Sequence, residues 1–199
     1  MAALFARNVK GMTDILQRAT VGVAGCGGLG SNAALALVRA GVGHLVIADF
    51  DKVELSNLNR QCFFQKDIGK EKSKVLTEYC LAINPALKID SFAVKLDAKN
   101  FIGFYKGCDL IIEAFDRAEE KKWLIDVWSK SFPKIPIICG NGLSGAGTND
   151  TLKTTKVGGH LWFCGDGKTD MSQGLCSARV AIVANMQANL AIELLMKKG

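Results

Sequence analysis

Apolar and polar positions along this chain switch repeatedly between two periods, and the switching predicts the architecture. Residues 20–25, TVGVAG, form a short unbroken apolar run, the pattern of a strand buried on both faces. Residues 31–41, SNAALALVRAG, change to helical spacing and end at Gly41, a residue suited to closing a helix. The alternation continues with a strand at 44–49, a helix at 70–83 stopped by Asn84-Pro85, and a strand at 87–95. Asp97 is placed to cap a short helix running to about Tyr105. A strand at 108–115, a helix at 117–132 and a strand at 135–140 follow. The 108–115 run is mostly apolar, as parallel strands covered on both sides tend to be.

Past residue 140 the pattern changes. Residues 141–167 are rich in Gly, Thr and Asn, with short alternating strands predicted at about 152–157 and 160–164. Residues 165–173, GDGKTDMSQ, read as a mobile loop, and a last helix covers roughly 178–198. Its lysine pair lies at the C-terminal end, where the helix dipole favours cations. The first twenty or so residues carry no clear pattern. These elements predict one α/β domain over residues 1–199, a mainly parallel sheet flanked by helices with a C-terminal antiparallel extension.

Composition narrows the possibilities. The chain of 199 residues is long enough for one full core, and 49% hydrophobic with 22% charged residues is a globular balance. The apolar runs at 33–38 and 180–184 are far short of a membrane span, and the opening MAALFARNVKG has no secretory pattern. No membrane partner is expected. Seven cysteines, an odd number with no CxxC, support neither a disulfide framework nor a ribbon-type zinc site. Free thiols in a cytoplasmic protein without zinc are therefore expected. The formal charge of +6 is concentrated around residues 60–74, where Phe63 and Phe64 are the only aromatics that could stack on bases. A solvated basic surface is the simpler reading, and nucleic acid is not an expected partner.

The candidate chemistry begins with GCGGLG at 25–30. Gly25, Gly27 and Gly30 have GxGxxG spacing between a strand and a helix, where backbone N–H groups and a helix N-terminus can face phosphates. Asp49 ends the next strand, where a carboxylate meets ribose hydroxyls in a Rossmann-like sheet. This combination indicates a nucleotide without saying which one. Three residues bear on the choice, each with an alternative reading. Arg60, in SNLNRQ, is placed to bind phosphate or is a surface arginine. Lys72 opens a helix, where a cation opposes the dipole unless an anion is near, or is one lysine of a solvated run. Asp116 lies at the carboxyl edge of the sheet, where ligands of open α/β sheets bind, and either holds Mg²⁺ or caps a helix.

A nicotinamide-dependent reductase accounts for the glycines and Asp49 but gives Arg60, Lys72 and Asp116 nothing to do. The two tyrosines, Tyr79 and Tyr105, also lack YxxxK spacing. A nucleotide-binding scaffold without turnover leaves the same three residues unexplained.

The motifs GCGGLGSN, DFDKVELSNLNRQ, IGKEKSK, AINP and EAFD, with GLCSARVAIVANMQANLAIELL near the end, resemble the ThiF/MoeB/HesA superfamily, relatives of ubiquitin-activating enzymes. The short lead segment LFARNVKG looks most like the short ThiF-type branch associated with thiamine biosynthesis. The resemblance implies adenylation, with MgATP, of the C-terminal glycine carboxylate of a ubiquitin-like sulfur carrier protein ending in Gly-Gly. It implies that Gly25, Gly27, Gly28 and Gly30 form the nucleotide loop, that Asp49 binds ribose, and that Asp51 belongs to the nucleotide site. Asn57, Arg60 and Lys72 would bind phosphates and Asp116 would hold Mg²⁺. Choosing Lys72 over Lys70 or Lys74 rests on the family's Gly-x-x-Lys spacing from Gly69. Arg7 is implied to reach the nucleotide of a partner in a homodimer. Relatives acting on a molybdopterin carrier protein or a modified tRNA base share this chemistry. Many relatives carry two CxxC pairs for zinc, which this chain lacks. Some use a cysteine near the last helix for acyl or sulfur transfer, and Cys164 and Cys176 flank that position; burial with no such role is the simpler reading of both.

Overall fold

A computed structural model describes residues 3–198. Seven strands form one sheet: β1 (Thr20–Ala24), β2 (His44–Ala48), β3 (Lys88–Phe92), β4 (Leu110–Glu113), β5 (Ile137–Gly140), β6 (Lys153–Val157) and β7 (Leu161–Gly165). Their order across the sheet is β3-β2-β1-β4-β5-β7-β6, and every pairing is parallel except β6 with β7. The helices are α1 (Met12–Leu16), α2 (Gly28–Ala40), α3 (Lys72–Ile83), α4 (Phe101–Tyr105), α5 (Ala118–Ser131) and α6 (Ser177–Lys198). Consecutive strands diverge to opposite sides of β1, so β1 and β4 form the topological switch point at which open α/β sheets bind ligands.

Alternation along the strands builds two cores. Val21, Val23, Leu45, Ile47 and Ile112 face α2, α3 and α6, whereas Ala24, Val46, Ile111 and Ile137 face α4 and α5. Burial on both faces explains why these strands read as apolar runs. Gly22 makes room for one partner on the second face, because a Cβ there would lie 2.6 Å from the ring of Tyr105. The Tyr105 hydroxyl donates to the Val23 carbonyl at 3.1 Å. α6 is long and apolar enough by composition to cross a membrane, but here it packs on α2 as a core helix.

Several boundaries differ from the sequence expectation. α2 starts at Gly28 rather than residue 31, because the loop glycines themselves form the first helical turn and Ser31 N–H donates to the Gly27 carbonyl at 2.9 Å. β3 ends at Phe92, and the chain then leaves the sheet so that Val94, Lys95 and Leu96 line the cleft described below. Asp97 closes a turn by accepting the N–H groups of Lys99 and Asn100, while Asn100 is the residue at the start of α4. The antiparallel extension is present, but β7 inserts parallel to β5 and leaves β6 at the edge.

The 165–173 segment, read from sequence as a mobile loop, is tied down. Asp166 is buried and accepts N–H groups from Lys168 at 2.8 Å and Thr169 at 2.9 Å. Its other oxygen takes Arg179 of α6 at 2.5 Å, and Arg179 also donates to the Gly147 carbonyl at 2.6 Å. Thr148, beside that carbonyl, is the one non-glycine residue with positive φ (51°) among the described residues. One guanidinium thus fastens both ends of the β6–β7 excursion to the last helix.

Candidate nucleotide site

The carboxyl ends of β1, β2 and β4 open into a cleft of about 520 Å³. The loop after β1 is shaped by close backbone approach. Gly25 has φ 97°, and its N–H donates to the Ala48 carbonyl at 2.9 Å. A Cβ on Gly30 would stand 1.9 Å from the Gly25 carbonyl oxygen, so only glycine lets the helix start this near the strand. The N-terminus of α2 therefore faces the cleft without a side chain in the way.

Asp49 is fixed from two directions. Cys26 N–H donates to one carboxylate oxygen at 2.6 Å, and Asp51 N–H donates to the other at 2.8 Å. Burial raises its pKa from the ordinary carboxylate value, and the two N–H donors oppose that rise. Each oxygen keeps acceptor capacity toward the cleft, which suits a pair of hydroxyls.

The segment 51–71 then wraps the cleft. A 3₁₀ turn at Leu55–Asn57 is closed by the Asn57 side chain accepting Glu54 N–H at 3.1 Å, which leaves Asn57 buried at the cleft wall. Asn32 of α2 donates to the carbonyls of Gly28 at 2.7 Å and Arg60 at 3.1 Å, clamping the Arg60 backbone to the first turn of α2. The Arg60 guanidinium rests on the Ser56 carbonyl at 3.0 Å and Asn59 at 2.8 Å and has no carboxylate partner among the described residues. It is a held cation available to an anion.

Lys72 is the first residue of α3, and its Nζ lies 2.9 Å from Asp51. Its side chain is 7% exposed, whereas those of Lys70 and Lys74 are 53% and 72% exposed and pair with Asp67 and Glu71. Of the three lysines only Lys72 lines the cleft. Asp51 therefore meets the cleft as the partner of Lys72.

The same cleft is lined by Asp116, exposed in the turn between β4 and α5. Its carboxylate makes no hydrogen bond or ion pair among the described residues, and the N-terminal flanking residue of α5 is Arg117. The reading of Asp116 as a helix cap is thereby set aside. Behind it, fully buried Glu113 pairs with Lys121 at 2.8 Å. Burial pushes the Glu113 carboxyl up, and Lys121 opposes the shift. EAFD already displayed Glu113, yet nothing in the sequence tied it to a lysine eight positions on.

Arg7 is exposed and does not line this cleft. Its segment is anchored at the far end of α2, where Asn8 donates to the Ala40 carbonyl at 2.8 Å. Thirteen residues of α2 place that end about 20 Å from the glycine loop. A single chain does not bring Arg7 to its own site.

All seven cysteines are free thiols. Cys164 is buried at the end of β7, and burial pushes its thiol up to about 11, which disfavours a thiolate nucleophile. Cys176 is half-buried just before α6. No group of three or more His, Cys, Asp or Glu residues able to hold a metal occurs among the described residues.

A glycine loop at a switch point, a fixed carboxylate on the next strand, and two cations and a second carboxylate lining the same cleft define a nucleotide-binding α/β domain. The chain belongs to the ThiF family, which it matches over residues 3–199. It is 37% identical over 102 residues to the sulfur carrier protein adenylyltransferase of Thermus thermophilus, covering 51% of this chain and 38% of that one. It is 31% identical over 139 residues to the adenylyltransferase and sulfurtransferase UBA4 of Yarrowia lipolytica, covering 70% of this chain and 34% of that one. The aligned parts span little more than a third of those relatives. Among solved structures, E. coli tRNA N6-threonylcarbamoyladenosine dehydratase, TcdA, in complex with AMP matches with TM-score 0.86 at 22% identity, covering 99% and 93% of the two chains. E. coli MccB with ATP matches with TM-score 0.75 at 18% identity, over 94% of this chain and 58% of that one. These two likenesses show a shared fold.

Proposed function

We propose that this protein is an adenylyltransferase that uses MgATP to activate the C-terminal glycine carboxylate of a ubiquitin-like sulfur carrier protein ending in Gly-Gly, of the kind that serves thiamine biosynthesis. The observation that carries the reading is the convergence of Asp49, Arg60, Lys72 and Asp116 on one cleft at the end of β1. A nicotinamide cofactor needs the first of these and has no use for a metal-holding carboxylate such as Asp116.

In this reading a carboxylate oxygen of the carrier attacks the α-phosphorus of ATP, an acyl-phosphate bond forms, and the bond to pyrophosphate breaks. The attacking group is already ionised near neutral pH, so no side-chain base is required. The protein aligns the reactants and stabilises the charge that develops. The α2 N-terminus with Gly25, Gly27, Gly28 and Gly30 receives phosphate oxygens, and Asp49 receives the ribose hydroxyls. Asn57, Arg60 and Lys72 donate to phosphates.

Asp116 suits Mg²⁺, which is commonly held by one or two carboxylates plus substrate phosphates and water rather than by an all-protein cage. When bound, the ion neutralises phosphate charge. The active unit in this proposal is a homodimer in which Arg7 of one chain serves the cleft of the other, in the cytoplasm. ATP–pyrophosphate exchange is the test, and it should require a carrier ending in Gly-Gly. Exchange driven instead by tRNA would move the substrate to a modified base, and tighter binding of NADH than of ATP would remove the adenylation reading altogether.

A further inference from the structure

Glu113 has no exposed side-chain area, yet it is a carboxylate placed at the end of a central strand. Its oxygens accept the Phe115 N–H at 2.7 Å and the Lys121 ammonium at 2.8 and 3.0 Å. Its own carbonyl is held at 3.0 Å by the amide of Gln187, which also takes the Ile138 carbonyl at 3.1 Å. Burying such a pair is poor value for stability alone, since well-packed apolar residues usually do as well or better. Lys121 also sits near the N-terminus of α5, where the helix dipole disfavours a cation. Position explains the arrangement better than stability does.

The residue whose position is set is Asp116. No described residue hydrogen-bonds to or pairs with its carboxylate, so its place is set chiefly by the backbone of residues 113–117. That backbone is pinned at the Glu113 carbonyl by Gln187, at Ala114, whose N–H donates to the Ala24 carbonyl at 2.9 Å, and at Phe115 by the Glu113 carboxylate. We infer that Glu113 is a positioning residue that holds the Asp116 turn in the geometry needed to receive a metal-bound triphosphate, with Lys121 bonded to both oxygens of the buried carboxyl and fixing its orientation. The inference rests on the adenylation reading above, in which Asp116 faces Mg²⁺.

Groups that orient a metal ligand without touching the metal are typically worth about 10–100-fold in metal affinity. The test is the ratio of ATP affinities measured by calorimetry with Mg²⁺ and with EDTA. Glu113→Gln should lower this ratio about tenfold while the affinity in EDTA stays within about twofold of wild type. Glu113→Asp should retain the ratio, because an aspartate readily accepts the N–H two residues on. On an Asp116→Asn background, Glu113→Gln should add nothing. If Glu113→Gln does not fold, Lys121→Gln should lower the same ratio, and because Lys121 itself lines the cleft only the ratio, not the affinity in EDTA, is read for that variant. An unchanged ratio in the folded variant, an equal fall on the Asp116→Asn background, or a parallel loss of affinity in EDTA would overturn the inference. A wild-type protein that binds ATP equally with and without Mg²⁺ would instead fail the parent reading.

Discussion

Lys72 and Asp51 meet at 2.9 Å with unequal shelter, the lysine side chain 7% exposed and the aspartate 49%. The Lys72 N–H also donates to the Asp51 carbonyl at 3.0 Å, so the same residue steadies both ends of the lysine. A half-exposed carboxylate pairs weakly, roughly 0–1 kcal/mol. A phosphate offers Lys72 a charge-assisted bond of greater strength. Asp51 thus keeps a sheltered ammonium aimed at the cleft and gives it up readily.

This geometry distinguishes three neighbouring lysines. Lys72→Ala should lower carrier-dependent exchange by about 10²–10³, the usual loss when one donor to a developing charge is removed. Lys70→Ala and Lys74→Ala should stay within about twofold, since their side chains lie outside. A normal rate for Lys72→Ala would place the phosphate contact elsewhere.

Gly30→Ala should destabilise the protein by about 1–3 kcal/mol or more and weaken ATP binding, because the added carbon meets backbone at 1.9 Å. Gly28→Ala should be milder, since its Cβ would meet side chains rather than backbone, Val180 at 3.0 Å and Arg60 at 3.5 Å. Urea unfolding and calorimetry on the two variants measure the difference.

Acid should act through Asp166. Burial alone would raise its pKa, but the N–H groups of Thr169 and Lys168, the Thr169 hydroxyl and Arg179 outweigh it and hold the carboxyl below the ordinary value. A carboxyl depressed in the folded state contributes stability above its unfolded pKa of about 3.9, and the contribution is lost as pH falls through the folded value. Asp166→Asn leaves Arg179 buried and unpaired, so it should cost about 3–5 kcal/mol near neutral pH. The deficit against wild type should hold from pH 7 to about 5 and narrow below about 4. A deficit that is unchanged at pH 3 in denaturant titrations would show that the charge contributes nothing.

The shared-site proposal predicts complementation. Arg7→Ala and Asp116→Ala homodimers should each be weak, while their hybrid holds one site with both residues intact. Randomly co-refolded mixtures should recover up to about a quarter of wild-type exchange if the dimer has twofold symmetry. Full activity of Arg7→Ala alone, or verified hybrids that recover nothing, would defeat the proposal.

The site's frame was legible because Asp49, Arg60 and Asp116 each follow a strand end or turn that local pattern marks. Resemblance alone singles out Lys72 from its neighbours; in the fold it is the sheltered one of the three. The Glu113–Lys121 and Asp166–Arg179 pairs were not legible: they join different elements across 8 and 13 positions, and no periodicity relates their members. The 165–173 segment reads as mobile from its glycines and polar residues, because Arg179, the partner that fastens its Asp166 to the core, lies outside it. The early start of α2 was missed for a similar reason, since glycine is a poor helix former and only the closeness of Gly25 to Gly30 makes it necessary there.

β6 touches the rest of the sheet through β7 alone, and all five of its residues are exposed. Its length and sequence can therefore drift without disturbing β1, β2 or β4, on which catalysis would depend. The fold separates an interchangeable border from an inflexible centre, and a grafted hairpin closed by the same Arg179 anchor is a practical route to altering this protein while leaving its nucleotide chemistry intact.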